Sequence, residues 1–268
     1  MTEPNNSDQI HSASYRLAAL DQDFLLGDSM RGVRFLLEYA KAEQYLRAWG
    51  VRSTIVVFGS ARVRSEGPRA RWYDQARRFG KLASEKGGAL HPMNGQRDNV
   101  IATGGGSGIM EAASRGANEA GAPAIGFNIT LPTEQEPNAY LTPDLTFSFH
   151  YFAMRKMHLA MRANALVVFP GGFGTLDEMF EILTLHQTGK VSSVPVVLFD
   201  RTYWSKLINF EFLVEEGMIN QDDLLLFSFA DDYEELWTTL VKRGLCEHTP
   251  EHAQPKSPEG TTPTPATP

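Results

Sequence analysis

From residue 54 onward the chain alternates short β-branched and aromatic runs with stretches of helical period, a rhythm that few folds accommodate. The β-rich runs fall at 55–58, 100–102, 124–127, 146–149, 165–169 and 194–199, and helical patterns fill 71–85, 108–120, 151–163 and 175–187. Strands separated by helix-length connections are joined by crossovers and pair in parallel. The alternation therefore predicts an α/β fold, a Rossmann-like, doubly wound, mostly parallel sheet with helices on both faces. A length of 268 residues suits one such domain. Residues 1–29 read as a polar N-terminal segment. Phe35, Tyr39, Ala42, Leu46 and Trp49 then recur at helical spacing, which predicts a packing or dimer helix over 30–49. The expected domain is 30–246. Residues 247–268, rich in Pro and Thr without an apolar period, are expected to be a disordered tail.

In an open parallel sheet, ligands collect at the carboxyl ends of the strands, so the strand-to-helix turns carry the functional reading. Phe58-Gly59-Ser60-Ala61-Arg62 would let a ligand approach the backbone at Gly59 and Ser60, although a tight turn explains the same residues. Thr103-Gly104-Gly105-Gly106-Ser107-Gly108 opens a helix at Ile109-Met110-Glu111, where unpaired N–H groups favour an anion such as phosphate. Pro170-Gly171-Gly172-Phe173-Gly174-Thr175 follows a buried strand. Gly171, Gly172 and Gly174 free its backbone, and Thr175 is read as the cap of a helix with the apolar stripe Leu176, Met179, Phe180 and Leu183. Two phosphate-friendly helix starts thus share one edge.

Familiar alternatives fail on spacing. Neither glycine turn gives G-x-G-x-x-G, and Gly126-Phe127-Asn128 lacks the acid that would hold a ribose diol of NAD. The Gly-Lys pairs continue into Leu82 and Val191 where an ATP-binding loop needs Ser or Thr. No H-E-x-x-H or G-x-S-x-G occurs, and His150, His158 and His186 read as packing or helix-face residues. A net charge of −7 argues against a nucleic-acid partner. The single cysteine, Cys246, rules out an intrachain disulfide or a Cys-based metal site and suits a reducing compartment. The polar start Met1-Thr2-Glu3-Pro4 is unlike a signal peptide, and no apolar run reaches the ~20 residues of a membrane span. The expectation is a cytoplasmic protein with a small-molecule partner and no metal, membrane or nucleic acid.

Over 151–163, Ala153, Met157, Ala160 and Met161 are read as an apolar face and Arg155, His158 and Arg162 as another. Arg155, in the first turn, is expected near the glycine turns, with Arg162 about two turns away. An arginine there opposes the helix dipole unless an anion or carboxylate answers it, and a surface salt bridge would serve equally. Thr175-Leu176-Asp177-Glu178 matches a capping box, so a helix cap explains Glu178 as well as chemistry does.

Taken in order, Val57-Phe58-Gly59-Ser60-Ala61-Arg62, the turn from Thr103 to Gly108 with Ile109-Met110-Glu111-Ala112, Met154-Arg155-Lys156, and Pro170 through Glu178 resemble the LONELY GUY-type phosphoribohydrolases, often described as "possible lysine decarboxylase". The resemblance runs from about 55 to 233 and implies cleavage of the N-glycosidic bond of a nucleoside 5′-monophosphate to free base and ribose 5-phosphate. AMP or N6-modified adenine ribotides, the cytokinin precursors, are the implied substrates, with no metal or organic cofactor. It also implies a homodimer or a larger homo-oligomer. The family's catalytic arginine and glutamate fall on Arg155 and Glu178. Its phosphate-binding turns fall on Gly104, Gly105, Gly106, Ser107 and Gly108 with Met110 and Glu111, and on Gly171, Gly172, Gly174 and Thr175, with Gly59 and Ser60 beside them. The family's Glu-Glu ending is Asp177-Glu178 here. Decarboxylation would need a lysine carrying pyridoxal phosphate, whereas Lys156 and Lys190 read as helix-start and loop charges. The alternative is a non-catalytic carrier of a nucleotide or anionic cofactor on a similar fold. The segment 87–99 is longer than the family's usual connection and reads as a lid, a dimer contact or a plain loop.

Overall fold

The computed structural model describes residues 5–132, 136–190 and 194–245; Cys246 and the expected tail at 247–268 lie outside the described residues. Two short helices, α1 (Ser7–Ile10) and α2 (Gln22–Leu26), precede the long α3 (Arg31–Ala48). The sheet comprises β1 (Thr54–Phe58), β2 (Val100–Thr103), β3 (Ala124–Ile129), β4 (Thr146–Phe149), β5 (Ala163–Val168), β6 (Val196–Phe199) and β7 (Ser228–Ala230). Every described pairing between these strands is parallel, in the order β4-β3-β2-β1-β5-β6-β7. The chain winds outward from β1 to β4, returns to the other side of β1 with β5, and winds outward again. The doubly wound expectation holds, and strand order reverses between β1 and β5, where such sheets form a ligand crevice.

Continuous apolar runs in β1, β5 and β6 follow from burial on both faces. Ile55 and Val57 face a core completed by Tyr73 and Phe79 of α4 (Ala70–Lys86), Ala112 and Ala113 of α5 (Ile109–Glu119), and Leu236 and Leu240 of α10 (Tyr233–Lys242). Val56 and Phe58 face Leu46 of α3, Leu159 of α6 (Phe152–Met161) and Met179 and Leu183 of α7 (Phe173–Gln187). Trp204 of α8 (Arg201–Leu207) and Phe210 of α9 (Phe210–Glu215) complete that second core. Of these elements, β7 and α8 to α10 lie beyond the regular alternation and were not anticipated. Segment 87–99 precedes β2, so it lies at the amino edge of the sheet, away from the glycine turns. A lid over those turns is thereby excluded. The segment is tied down locally by paired Met93 and Gln96 backbones and by Arg97 on the Ala89 carbonyl.

The helix expected at 30–49 is α3, and its inner face splints α6. Glu38 accepts from the backbone N–H groups of His150 and Tyr151 at 2.9 and 3.3 Å, and Arg34 Nε donates to the Tyr151 hydroxyl at 2.9 Å. Tyr39 stacks on His158 with ring centroids 5.4 Å apart. At the far end, Arg162 Nη2 meets both oxygens of Glu43 at 2.8 and 2.9 Å, and Arg47 Nε donates to Glu43 at 2.6 Å. Burial alone would push the Glu43 carboxyl up, but the two arginines outweigh it and hold it below its ordinary range. The outer face of α3 leaves Val33, Leu36 and Leu37 exposed.

Deleting one partner of a buried, hydrogen-bonded ion pair strands the other. Glu43→Ala is therefore expected to destabilise the chain by about 3 kcal/mol in urea unfolding at neutral pH, whereas Leu36→Gln on the outer face should stay within about 0.5 kcal/mol. Equal effects would show that α3 does not brace α6 through its inner face.

Candidate active site

The turn after β1 ties the other two turns together. Ser60 N–H donates to the Pro170 carbonyl at 3.0 Å, Ile109 N–H donates to the Ser60 carbonyl at 3.1 Å, and Ser107 Oγ donates to the Ala61 carbonyl at 3.0 Å. This close approach needs two glycines. A Cβ at Gly59 would meet the Ile109 side chain, and Gly108, at φ 72°, packs on the Ser60 carbonyl. Gly104 lies against Arg155 Nη2 and Met110 Sδ, and Gly105 backs onto Asn128. By contrast, a side chain at Gly172 or Gly174 would meet nothing within 4 Å, so the turn after β5 is the open one.

That turn corrects one expectation. α7 begins at Phe173 with Gly172 as its N-cap and no side-chain cap, two residues earlier than the sequence pattern placed it. Thr175 is thus inside the first turn, buried, with its side chain folded over Gly171. No capping box forms at Thr175-Leu176-Asp177-Glu178, and the structural explanation for Glu178 falls away with it. The apolar stripe is also rotated: Met179, Ile182 and Leu183 are buried, while Phe180 is exposed.

Glu178 faces α6. Arg155 Nη2 lies 3.7 Å from Glu178 Oε1, with side chains only 12% and 7% exposed. The guanidinium is held from behind by Nε donating to the Phe127 carbonyl at 3.0 Å. Beside this pair, Lys156 Nζ bridges Asp177 Oδ2 at 2.8 Å and Glu181 Oε2 at 3.1 Å. Burial pushes the Glu178 carboxyl up to about 7, only partly offset by Arg155 and Lys156 and reinforced by Glu181 and Asp177. Burial likewise draws Arg155 below its ordinary value against the pull of Glu178 and Asp177. The result is a desolvated carboxylate that exchanges its proton near neutrality, beside a fixed cation and an open helix N-terminus. Such a group suits general-base work and the stabilisation of developing positive charge.

The other expected residues divide. Arg162 binds Glu43 at the far end of α6 and takes no part in this cluster. His158 is packed among Tyr39, Phe127 and Phe149. Ala153 and Met161, read as an apolar packing face, are exposed; His158 and Leu159 are buried instead. Glu111 accepts from the Tyr73 hydroxyl at 2.7 Å on the α4 side, and burial together with Glu111 pushes Tyr73 up to about 12. Sequence reasoning missed the brace behind the open turn. Tyr203 donates to the Gly171 carbonyl at 2.6 Å, while Asp200 accepts from Tyr203 N–H at 3.0 Å and from Trp72 Nε1 at 2.8 Å. An aspartate directly after a strand and before a helix was the one available signal, that of an N-cap. Two aromatics stand in solvent at the helix starts, Phe173 at 92% exposure and Phe152 at 52%. Among the described residues no three His, Cys, Asp or Glu side chains converge as a metal site, and no helix is long and apolar enough to cross a membrane.

Known proteins resemble this chain over the same region. The family model described as "Possible lysine decarboxylase" matches residues 110–240. A probable cytokinin riboside 5′-monophosphate phosphoribohydrolase of Oryza sativa subsp. japonica is 31% identical over 152 residues, or 55% of this chain and 64% of the relative. The match thus spans just under two thirds of that protein's length. A cytokinin riboside 5′-monophosphate phosphoribohydrolase of Arabidopsis thaliana is 30% identical over 156 residues, covering 56% of this chain and 70% of the relative. Among solved structures, the X-ray structure of a structural-genomics target matches with a TM-score of 0.50 at 22% identity, covering 71% of this chain and 99% of that one, a likeness of fold.

The buried carboxyl makes a prediction independent of any ligand. Native Glu178 keeps its proton up to about pH 7, whereas the unfolded chain releases it near 4.5. Between those values the native state binds the extra proton, so stability falls as pH rises through the window. Glu178→Gln has no proton to lose there. Urea unfolding at pH 5 and pH 8 should show the wild type losing up to about 3 kcal/mol relative to the variant. Parallel behaviour at the two pH values would remove the burial account of Glu178.

Proposed function

Because the chain belongs to the LONELY GUY-type phosphoribohydrolase family, we propose that it hydrolyses the N-glycosidic bond of a nucleoside 5′-monophosphate, AMP or an N6-modified adenine ribotide. The observation that carries this reading is the buried Arg155–Glu178 pair beside the open start of α7. Gly171, Gly172, Gly174 and Thr175 would hold the 5′-phosphate on backbone N–H groups, with the turn from Gly104 to Gly108 on the other side of the crevice. Breaking the C1′–N bond sends its electron pair to the base, which takes up a proton, and leaves an oxocarbenium-like ribosyl cation. Ionised Glu178 stabilises that cation and accepts a proton from the water that adds to C1′, giving ribose 5-phosphate and free base. Arg155 orients the ribose phosphate and favours the ionised form of Glu178. A homodimer belongs to the same proposal, supported by the apolar surface that Phe152, Met161 and Phe180 leave on the two helices bearing the pair.

Purified protein is expected to release base and ribose 5-phosphate from AMP or an N6-modified adenine ribotide, with GMP and CMP as comparators. Glu178→Gln should lower kcat by about 10²–10³-fold, the size of effect seen when a transition-state electrostatic contact is removed. Since the ionised carboxylate is the working form, kcat/KM should fall as pH drops below about 7. Tight AMP retention without turnover, indifferent to Glu178→Gln, would instead identify a non-catalytic carrier. Sedimentation of the full chain reads the dimer.

A further inference from the structure

Lys156 follows Arg155 on α6 but reaches α7 by its own route. Read from sequence as a helix-start charge, it is in fact a bridge: its ammonium lies between Asp177 and Glu181, and its side chain is only 18% exposed. Those two carboxylates stand at i and i+4 on α7, where like charges repel, and Glu178 follows directly after the first of them. The charged groups acting on Glu178 are Arg155 and Lys156 from α6 and Asp177 and Glu181 from its own helix. Without Lys156, the buried Glu178 would keep one guanidinium against two further carboxylates on its solvent side.

We propose that Lys156 is a positioning residue for Glu178, neutralising the Asp177–Glu181 pair that flanks it and locking the register of α6 on α7 that turns Arg155 toward it. The role rests on the hydrolase reading only where it concerns turnover. As electrostatics, it follows from the geometry alone. Lys156 itself touches neither Arg155's partner oxygen nor, on that reading, the sugar; it acts through Glu178, setting the pH at which the carboxylate becomes available. The bridge also gives Asp177 and Glu181 a function on the solvent side of the site, since each holds one side of the half-buried Lys156 ammonium.

The test is a carbon-13 NMR titration of the side-chain carboxyls in the full chain labelled at glutamate, with Glu178→Gln assigning the Glu178 signal. Lys156→Met is expected to move the Glu178 midpoint upward by about one pH unit, the usual size of an effect from a charge at this range. Lys156→Arg should stay near wild type. Glu181→Gln, which removes one flanking negative charge and leaves Asp177 to hold Lys156, should move the midpoint downward. Lys156→Met combined with Glu181→Gln, which removes one charge of each sign, should return it toward wild type. An unmoved midpoint in Lys156→Met, a Glu181→Gln shift in the upward direction, or a double variant no closer to wild type than Lys156→Met would each overturn the proposal. The acidic limb of kcat/KM for AMP should follow the same order of variants. Because the titration needs no turnover, ordered midpoints in a chain that does not cleave AMP would sink the hydrolase and keep Lys156. Cleavage with an unmoved midpoint would do the reverse.

Discussion

The parallel pairing of β1 with β5 continues beyond the strands themselves. Phe169 N–H reaches the Phe58 carbonyl at 2.8 Å, and one step further Ser60 N–H reaches the Pro170 carbonyl, so the ladder runs into the turns. Because β5 rejoins the sheet on the far side of β1, the two turns that it joins lead toward opposite faces. The helix reached from β1, α4, packs into one core beside the helix begun at Ile109, and the helix begun at Phe173 packs into the other. The crevice between them is a consequence of strand order, and the hydrogen bonds of Ser60 fix how wide it is.

A carboxylate and a guanidinium placed in such a crevice lose hydration that their mutual attraction does not fully replace, which is why burial moves both toward their neutral forms. Keeping them opposed at 3.7 Å therefore depends on structure behind them. The Phe127 carbonyl holds Arg155 from the sheet. α3 holds both ends of α6, through Glu38 on the backbone of Tyr151 and through Glu43 on Arg162. On the other side Tyr203 anchors Gly171, so α7 starts from a fixed point. Small displacements of reacting groups are costly in rate, and these braces lie on elements that touch no ligand in the proposed reading.

The sheet was legible because its signal is a period: alternating strands and helices leave little choice of topology. The turns were legible because glycine has few other reasons to cluster after a strand. What failed depended on a phase. The stretch from Thr175 to Glu178 has the composition of a helix start, yet Gly172 already supplies the N-cap, and only the backbone reveals that the first turn begins before Thr175. The apolar residues of α6 misled for a related reason. Its partners are α3 and the end of β3, which ask for His158 against Tyr39 and Phe127 and leave Ala153 and Met161 outside. Trp72, Asp200 and Tyr203 are far apart in the chain and carry no common motif, so their convergence on Gly171 appears only in three dimensions.

Glycine content alone would make the two helix starts equivalent as anion sites, and their hydrogen bonding separates them. At α5 the first N–H, that of Ile109, is already taken by the Ser60 carbonyl, and the preceding glycines pack against Arg155, Asn128 and Ser60. Much of that turn is therefore explained by close packing, Gly108 on the backbone of Ser60 and Ala61 and Gly104 and Gly105 on side chains. At α7 the N–H groups of Phe173, Gly174 and Thr175 meet no acceptor among the described residues, and Gly172 and Gly174 border open space. On the proposed reading, the start of α7 is then the principal seat of the phosphate, with the dipole of a 15-residue helix behind it. Glu178 lies one and a half turns further along the same helix. A ribose 5-phosphate held by its phosphate at the N-terminus of α7 would thus present its sugar toward that carboxylate, so one helix would fix the distance between the anchor and the chemistry.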